Sequence, residues 1–267
     1  MRTWVAFCLF VCVLAAASTA AAGPITINFN LGTGQQYGPL TNGSCPTTAS
    51  NNCSPSPFTE SSGGVNLSAT AWSITDVGGV ESGDFSGAEL GSYSIGLGVC
   101  DAAEGGPNCD SPNHQIDNFG GKDDFVLINF GTQVSLSSIQ LFTYDDSDGD
   151  GRNISYWVGN TIPNGNLASD SVSNFTFTNV TCPGTCTNPA TDPLTGTGQY
   201  LLIGASLIDN PGTCGRRETC AADEFKIQDV TLTPGDPDPV PEPTSMVLLG
   251  TGLLAGASRL RRQRRLK

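Results

Sequence analysis

Between residues 25 and 234, apolar and polar side chains alternate in short runs. ITINFN at 25–30 repeats with period two, and so does NLSATAWSI at 66–74, where Leu67, Ala69, Ala71 and Trp72 compete for the inner face. SYSIGLGV, DFVLINF, VSLSSIQLFTY, NISYWVG, NFTFTNV, QYLLIGASL and EFKIQDVTLTP continue the pattern. Each is rich in Val, Ile, Phe, Thr and Tyr and is bounded by Gly, Pro, Asn or Asp, the composition of strands and their turns. No stretch here sustains helical spacing over three turns. The pattern predicts an all-β fold, a single antiparallel β-sandwich of jelly-roll type over residues 23–233. Segments 32–63 and 101–113 read as surface loops. TPGDPDPVPEP then places proline at nearly every second position, so 234–243 reads as an extended linker that closes the domain.

The two ends break the alternation. MRTWVAFCLFVCVLAAASTAAA has an early Arg2, an apolar run from Trp4 to about Ala17 and small residues up to Ala22, the layout of a secretory signal peptide over 1–22 with maturation near Gly23. At the other end, Thr244 to Ser258 carries no charge, and six basic residues follow from Arg259 to Lys267. As a helix that run reaches only about 22 Å, against a hydrocarbon core of about 30 Å. Gly250, Gly252 and Gly256 weaken it further. A marginal span suits a temporary hold on the membrane better than a permanent anchor, and the basic cluster stays cytoplasmic by the positive-inside rule.

Charge and cysteines sharpen the picture of the middle. Between residues 23 and 240, five Lys and Arg stand against 24 Asp and Glu, a formal charge of −19. Such a surface repels nucleic acid and anionic lipid and attracts cations. Cys8 and Cys12 leave with the signal. The remaining eight, Cys45, Cys53, Cys100, Cys109, Cys182, Cys186, Cys214 and Cys220, are an even set in an exported chain and imply disulfides. They fall into four close pairs within Gly/Pro/Asn/Thr loops, so the preferred pairing is local: 45–53, 100–109, 182–186 and 214–220. Bridges closing short loops pin those loops rather than the fold. CPGTC and CGRRETC as zinc ligands are the rival reading. Their spacing does not fit the usual knuckles and no histidine lies nearby.

Signal peptide, ectodomain, Pro241-Glu242-Pro243, short apolar helix and Arg-rich end, in that order, resemble the PEP-CTERM proteins. The resemblance implies a sorting signal read by an exosortase of Gram-negative bacteria, with clipping near Pro241-Glu242-Pro243. It also implies residence at the cell surface or in an exopolysaccharide matrix, in biofilms or flocs. Residues 114–159 are similar to a segment recurring in one group of exosortase-dependent surface proteins, with His114, Asp117, Asn118, Asp146 and Asp148 matching. That likeness implies fold and location and assigns no chemistry.

The best site candidate is DDSDGDGRN. Asp146, Asp148 and Asp150 alternate and Gly151 follows, so the carboxylates converge on one cation as the loop curls. Calcium is the implied cofactor, with Arg152 offering its backbone carbonyl. Trp157 stands where an EF-hand needs Glu, and the flanks read as strands, so the loop is not an EF-hand; the bland alternative is a solvated acidic turn. His114, the one histidine, has no G-x-S-x-G partner and reads as structural. Asp123 and Asp124 read as charges at a strand edge. Trp72 and Trp157 are the tryptophans of the domain, so no aromatic cluster marks a sugar-stacking platform. The sequence therefore points to a non-enzymatic, structural or adhesive surface protein associated with exopolysaccharide. A secreted glycan hydrolase and a non-catalytic carbohydrate-binding module are the alternatives.

Overall fold

A computed structural model of the chain describes residues 22–30, 32, 34–38, 53–54, 56–77, 80–100, 115–118, 121–143, 153–181, 188–207, 223–235 and 252. Four short strands come first: β1 (Ile25–Asn28), β2 (Gln35–Tyr37), β3 (Cys53–Ser54) and β4 (Phe58–Ser62). Next are β5 (Val65–Asp76), β6 (Glu81–Tyr93), β7 (Gly96–Cys100), β8 (Ile116–Asp117), β9 (Lys122–Thr143) and β10 (Ile154–Gly159). Two 3-10 turns, Leu167–Ser169 and Val172–Asn174, precede β11 (Thr178–Val180), β12 (Ala190–Pro193), β13 (Thr197–Ala205) and β14 (Glu224–Pro234). The fold is all-β, as the alternation predicts, and Gly23–Gly235 forms one compact unit. Among the described pairings all are antiparallel except β2 with β3.

The 22-residue β9 organises the sheet. Its first half lies between β5 and β13, and its second half pairs with β12 and β14. Because β14 also pairs with β7, β7 with β6 and β6 with β5, the circuit closes on itself in a barrel-like ring. A closed ring leaves no open edge along the circuit for another chain to pair with. The sequence reads β9 as two strands separated by a glycine. That residue, Gly131, instead turns one strand through a corner: its φ is 68°, and the side-chain oxygen of Asn129 accepts its N–H at 2.9 Å. The facing strand shifts register between Gly198 and Tyr200, as a bulged corner requires.

Both faces of the first half of β9 are covered. Inside the ring lies the main core, where Val65, Leu67, Ala69 and Ala71 of β5 meet Val126 and Ile128 of β9. The opposite face carries a second, smaller core built on Trp72, Ile74, Phe85, Phe125, Leu127 and Leu202. The contest among Leu67, Ala69, Ala71 and Trp72 is thus settled by burying all four, Trp72 on the outer side.

Segment 32–63 is not simply a loop, since it contributes β2, β3 and β4 and buries Phe58 edge-on to Phe29 and Tyr37. NFTFTNV is a strand only over Thr178–Val180. Its leading part serves as a cover: Phe175 stands edge-on to Phe85 at 5.9 Å and to Trp157 at 5.0 Å between ring centroids. Fully buried Asp170 holds that cover in place by accepting from the side-chain amides of Asn164 and Asn174.

Candidate functional site

Four of the residues singled out in the sequence, Asp117, Asn118, Asp123 and Asp124, lie at one pole of the domain. Asp117 and Asn118 are both buried there. The side-chain amide of Asn118 donates to the backbone carbonyl of Ser206 at 3.2 Å and reaches Asp223 Oδ2 at 3.5 Å. Its Oδ1 accepts the Asp223 N–H at 3.0 Å, and Asp223 Oδ1 in turn accepts the Asn153 N–H at 2.6 Å. Asn153 is the first described residue after the aspartate-rich loop, and Thr143 is the last before it. Thr143 is clamped from both sides by Asn188, which accepts its N–H at 3.3 Å and donates to its carbonyl at 2.8 Å. Both roots of the loop are therefore fixed by side chains from elsewhere in the chain. This sets the loop's span before any cation is considered.

Asp123 and Asp124 at the same pole are not edge charges. They are 0 % and 1 % exposed, because β9 is a central strand with cover on both faces. Strand parity sends Asp123 to the outer face with Phe125, opposite Ile74. Both oxygens of Asp123, and Glu81 Oε1 nearby, are buried without a hydrogen-bond partner. Burial raises the Asp123 carboxyl to about 8, with the charges of Glu81, Asp76 and Asp117 adding to the same effect. Among the described residues no three His, Cys, Asp or Glu side chains converge closely enough to hold a metal ion.

At its other end the outer face opens into a groove of about 270 Å³. Ser68 of β5, Asn129 of β9 and Tyr200 of β13 form one row directly across three strands. Thr70 and Leu127 form the next row, and Trp72 closes the apolar end, its indole N–H donating to Thr70 Oγ1 at 2.9 Å. The turn at Gly165–Leu167 makes a wall, with Asn166 at its rim. Local alternation along the chain does not single out this assembly, whose parts come from three strands and a turn. The available signal was the spacing of Ser68, Thr70 and Trp72, alternate residues that share one face of a strand.

The other predicted residues divide as follows. Asp146, Asp148, Asp150, Arg152 and His114 lie outside the described residues, as do Pro241, Glu242, Pro243, Cys45, Cys109, Cys182, Cys186, Cys214 and Cys220. Cys53 is described only as backbone of β3. Cys100 ends β7, is buried and is disulfide-bonded. The aromatic side chains are brought together after all. Phe85, Phe125, Trp157, Phe175 and Phe177 stack in edge and tilted contacts, mostly as core. Among the described residues, no helix is long and apolar enough to cross a membrane; segments 1–21 and 253–267 are not among them.

Fold and charge define an acidic, closed β domain. The C-terminal segment specifies where it goes: residues 239–263 match the PEP-CTERM protein-sorting motif. Such a motif marks its bearer for export to the cell surface or beyond and for processing by exosortase-type machinery. The chain matches no curated protein. Among solved structures it is similar to a truncated AlyQ with CBM32 and alginate lyase domains, at 17% identity and a TM-score of 0.25. That match covers 44% of this chain and 26% of the other, so the chain spans about a quarter of that protein. A likeness this loose transfers neither ligand nor activity.

Proposed function

We propose that the chain is a non-catalytic component of the bacterial surface or extracellular matrix, associated with polysaccharide, whose aspartate-rich loop is ordered by calcium. The observation that carries the reading is the sorting motif at 239–263, joined to a closed, strongly acidic domain. Support for calcium comes from the D-x-D-x-D-G spacing of Asp146, Asp148 and Asp150, with the carbonyl of Arg152 next in line, on a loop whose two roots are clamped. A bound cation relieves the repulsion among carboxylates so close in sequence. The local disulfides 45–53, 100–109, 182–186 and 214–220 belong to the same reading: each pins a short loop in an oxidising compartment.

The test is retention of the processed protein on cell-free matrix from its own host. The reading expects retention through washing, at least fivefold release by a calcium chelator, and weak retention of the Asp148→Asn variant. Free partition into the medium would contradict it. So would glycan turnover that disappears when a single carboxylate is replaced, which would make the protein a hydrolase.

A further inference from the structure

We infer that the outer-face groove is a binding site for one neutral sugar residue of a polysaccharide, a deepening that rests on the surface-protein reading above. In a domain where 22 Asp and Glu stand against five Lys and Arg, a formal charge of −17 over residues 23–235, no described residue lining this groove is charged. That alone sets it apart: a site for a cation would use the abundant carboxylates, and a site for a phosphate or uronate would need Lys or Arg. Instead the groove pairs an apolar floor with a ring of neutral donors. Leu127, with Trp72 at one end and Leu167 in the wall, supplies apolar surface that matches the C–H face of a pyranose.

The donors are placed by bonds that use up the wrong ends of their side chains. Asn129 Oδ1 accepts from the Gly131 N–H at 2.9 Å and from Gln199 Nε2 at 3.2 Å. Its Nδ2 group is thereby turned away from those bonds, and no described protein group accepts from it. Asn166 repeats the arrangement at the rim: its Oδ1 caps the 3-10 turn by accepting the Ala168 N–H at 3.2 Å, which leaves its amide nitrogen to donate outward. Thr70 Oγ1 already accepts the Trp72 indole proton at 2.9 Å, so its own hydroxyl proton is available. Ser68 and Tyr200 flank Asn129 in the same cross-strand row and add two more hydroxyls. A set of neutral donors with oriented amides suits acceptor-rich hydroxyl and ring oxygens. The groove's volume, below the usual range for larger ligands, suits one sugar unit with the polymer continuing past the open end.

The test uses the full processed chain and immobilised dextran, xylan and galactomannan, with alginate and polygalacturonate as anionic controls. Two isosteric variants isolate the donors. Asn129→Asp and Asn166→Asp keep the oxygen that holds Gly131 or caps the turn, and each replaces a donor with a negative charge. Wild type is expected to bind at least one neutral polysaccharide and neither anionic one, competed by the corresponding free sugar. Each variant is expected to bind at least about tenfold more weakly, the cost of an unpaired polar group facing a like or missing partner, with little change in melting temperature. No binding to any neutral polysaccharide, or unchanged binding by both variants, overturns the site. The two readings fail separately: a wild-type chain absent from host matrix sinks the surface reading. A chain retained there equally by wild type and both variants sinks only the groove.

Discussion

Asp123→Asn stabilises the protein at neutral pH and removes most of the dependence of its stability on pH below 8. The folded carboxyl titrates near 8, against an ordinary value of 3.8. The folded state therefore holds a proton that the unfolded chain releases. Stability from this group is complete below pH 3.8 and is lost as pH rises through the folded value. At ~1.4 kcal/mol per unit, the penalty at pH 7 is on the order of 4 kcal/mol. Asparagine has nearly the same shape and no ionised form, so the variant carries no such penalty. Glu89 and Asp229, whose carboxyls burial also raises, add a smaller slope of the same sign. Lys226 acts in the opposite sense above this range. Burial lowers its ammonium to about 8, so its contribution rises with pH from about 8 towards 10.5. Urea midpoints at pH 4.5, 6 and 7.5 are the measurement. Wild type should lose stability steadily across that series and the variant should lose much less. A variant with the wild-type slope, or one less stable at pH 7.5, would show that Asp123 is ionised and paired in the fold.

Gly96→Ala prevents the ring from closing. Gly96 opens β7 after a two-residue turn, with a φ of 126° that side-chain-bearing residues rarely adopt. An added Cβ would lie 2.3 Å from the backbone carbonyl oxygen of Ile227 on β14. Ile227 faces Leu97 at the β7–β14 pairing, the single register point that joins one side of the circuit to the other. Backbone cannot retreat there without breaking that pairing. The strained conformation and the clash together cost more than about 3 kcal/mol. The expected outcome is a chain that fails to accumulate or melts far below wild type. Gly34→Ala is the control, since its φ of 84° carries the backbone strain while a Cβ meets nothing within 4 Å. It should lose about 1–2 kcal/mol and still fold. Equal effects at the two positions would mean that close approach at Ile227 is not what requires the glycine.

Strands were legible where alternation is local, as in ITINFN, NISYWVG and EFKIQDVTLTP. What escaped depends on partners distant in the chain. Asp123 and Asp124 look like edge charges because strand position is decided by β5 and β13, which lie about 50 residues before and 75 residues after them. The continuity of β9 was hidden by Gly131, a residue that separates strands at most positions and here bends one. Phe175 and Phe177 alternate as in a strand, yet Asp170 and its amide partners fold that segment over the outer face instead. The groove was unreadable for the same reason, since Ser68, Asn129 and Tyr200 come from three strands that the topology alone places side by side. Asp117 and Asn118 were noted only through a resemblance, and the role of Asn118 in holding the root of the aspartate loop needs Asp223, more than 100 residues on. The sorting motif was readable because all of its parts are contiguous.

The intact mass of the native protein from its own host, before and after reduction, tests the central claim most directly. The account predicts a chain that begins near Gly23 and ends near Pro241-Glu242-Pro243, with a gain of about 8 Da on reduction of four disulfides. A chain still ending at Lys267 would contradict it, because the C-terminal segment would then be an anchor and not a signal for processing.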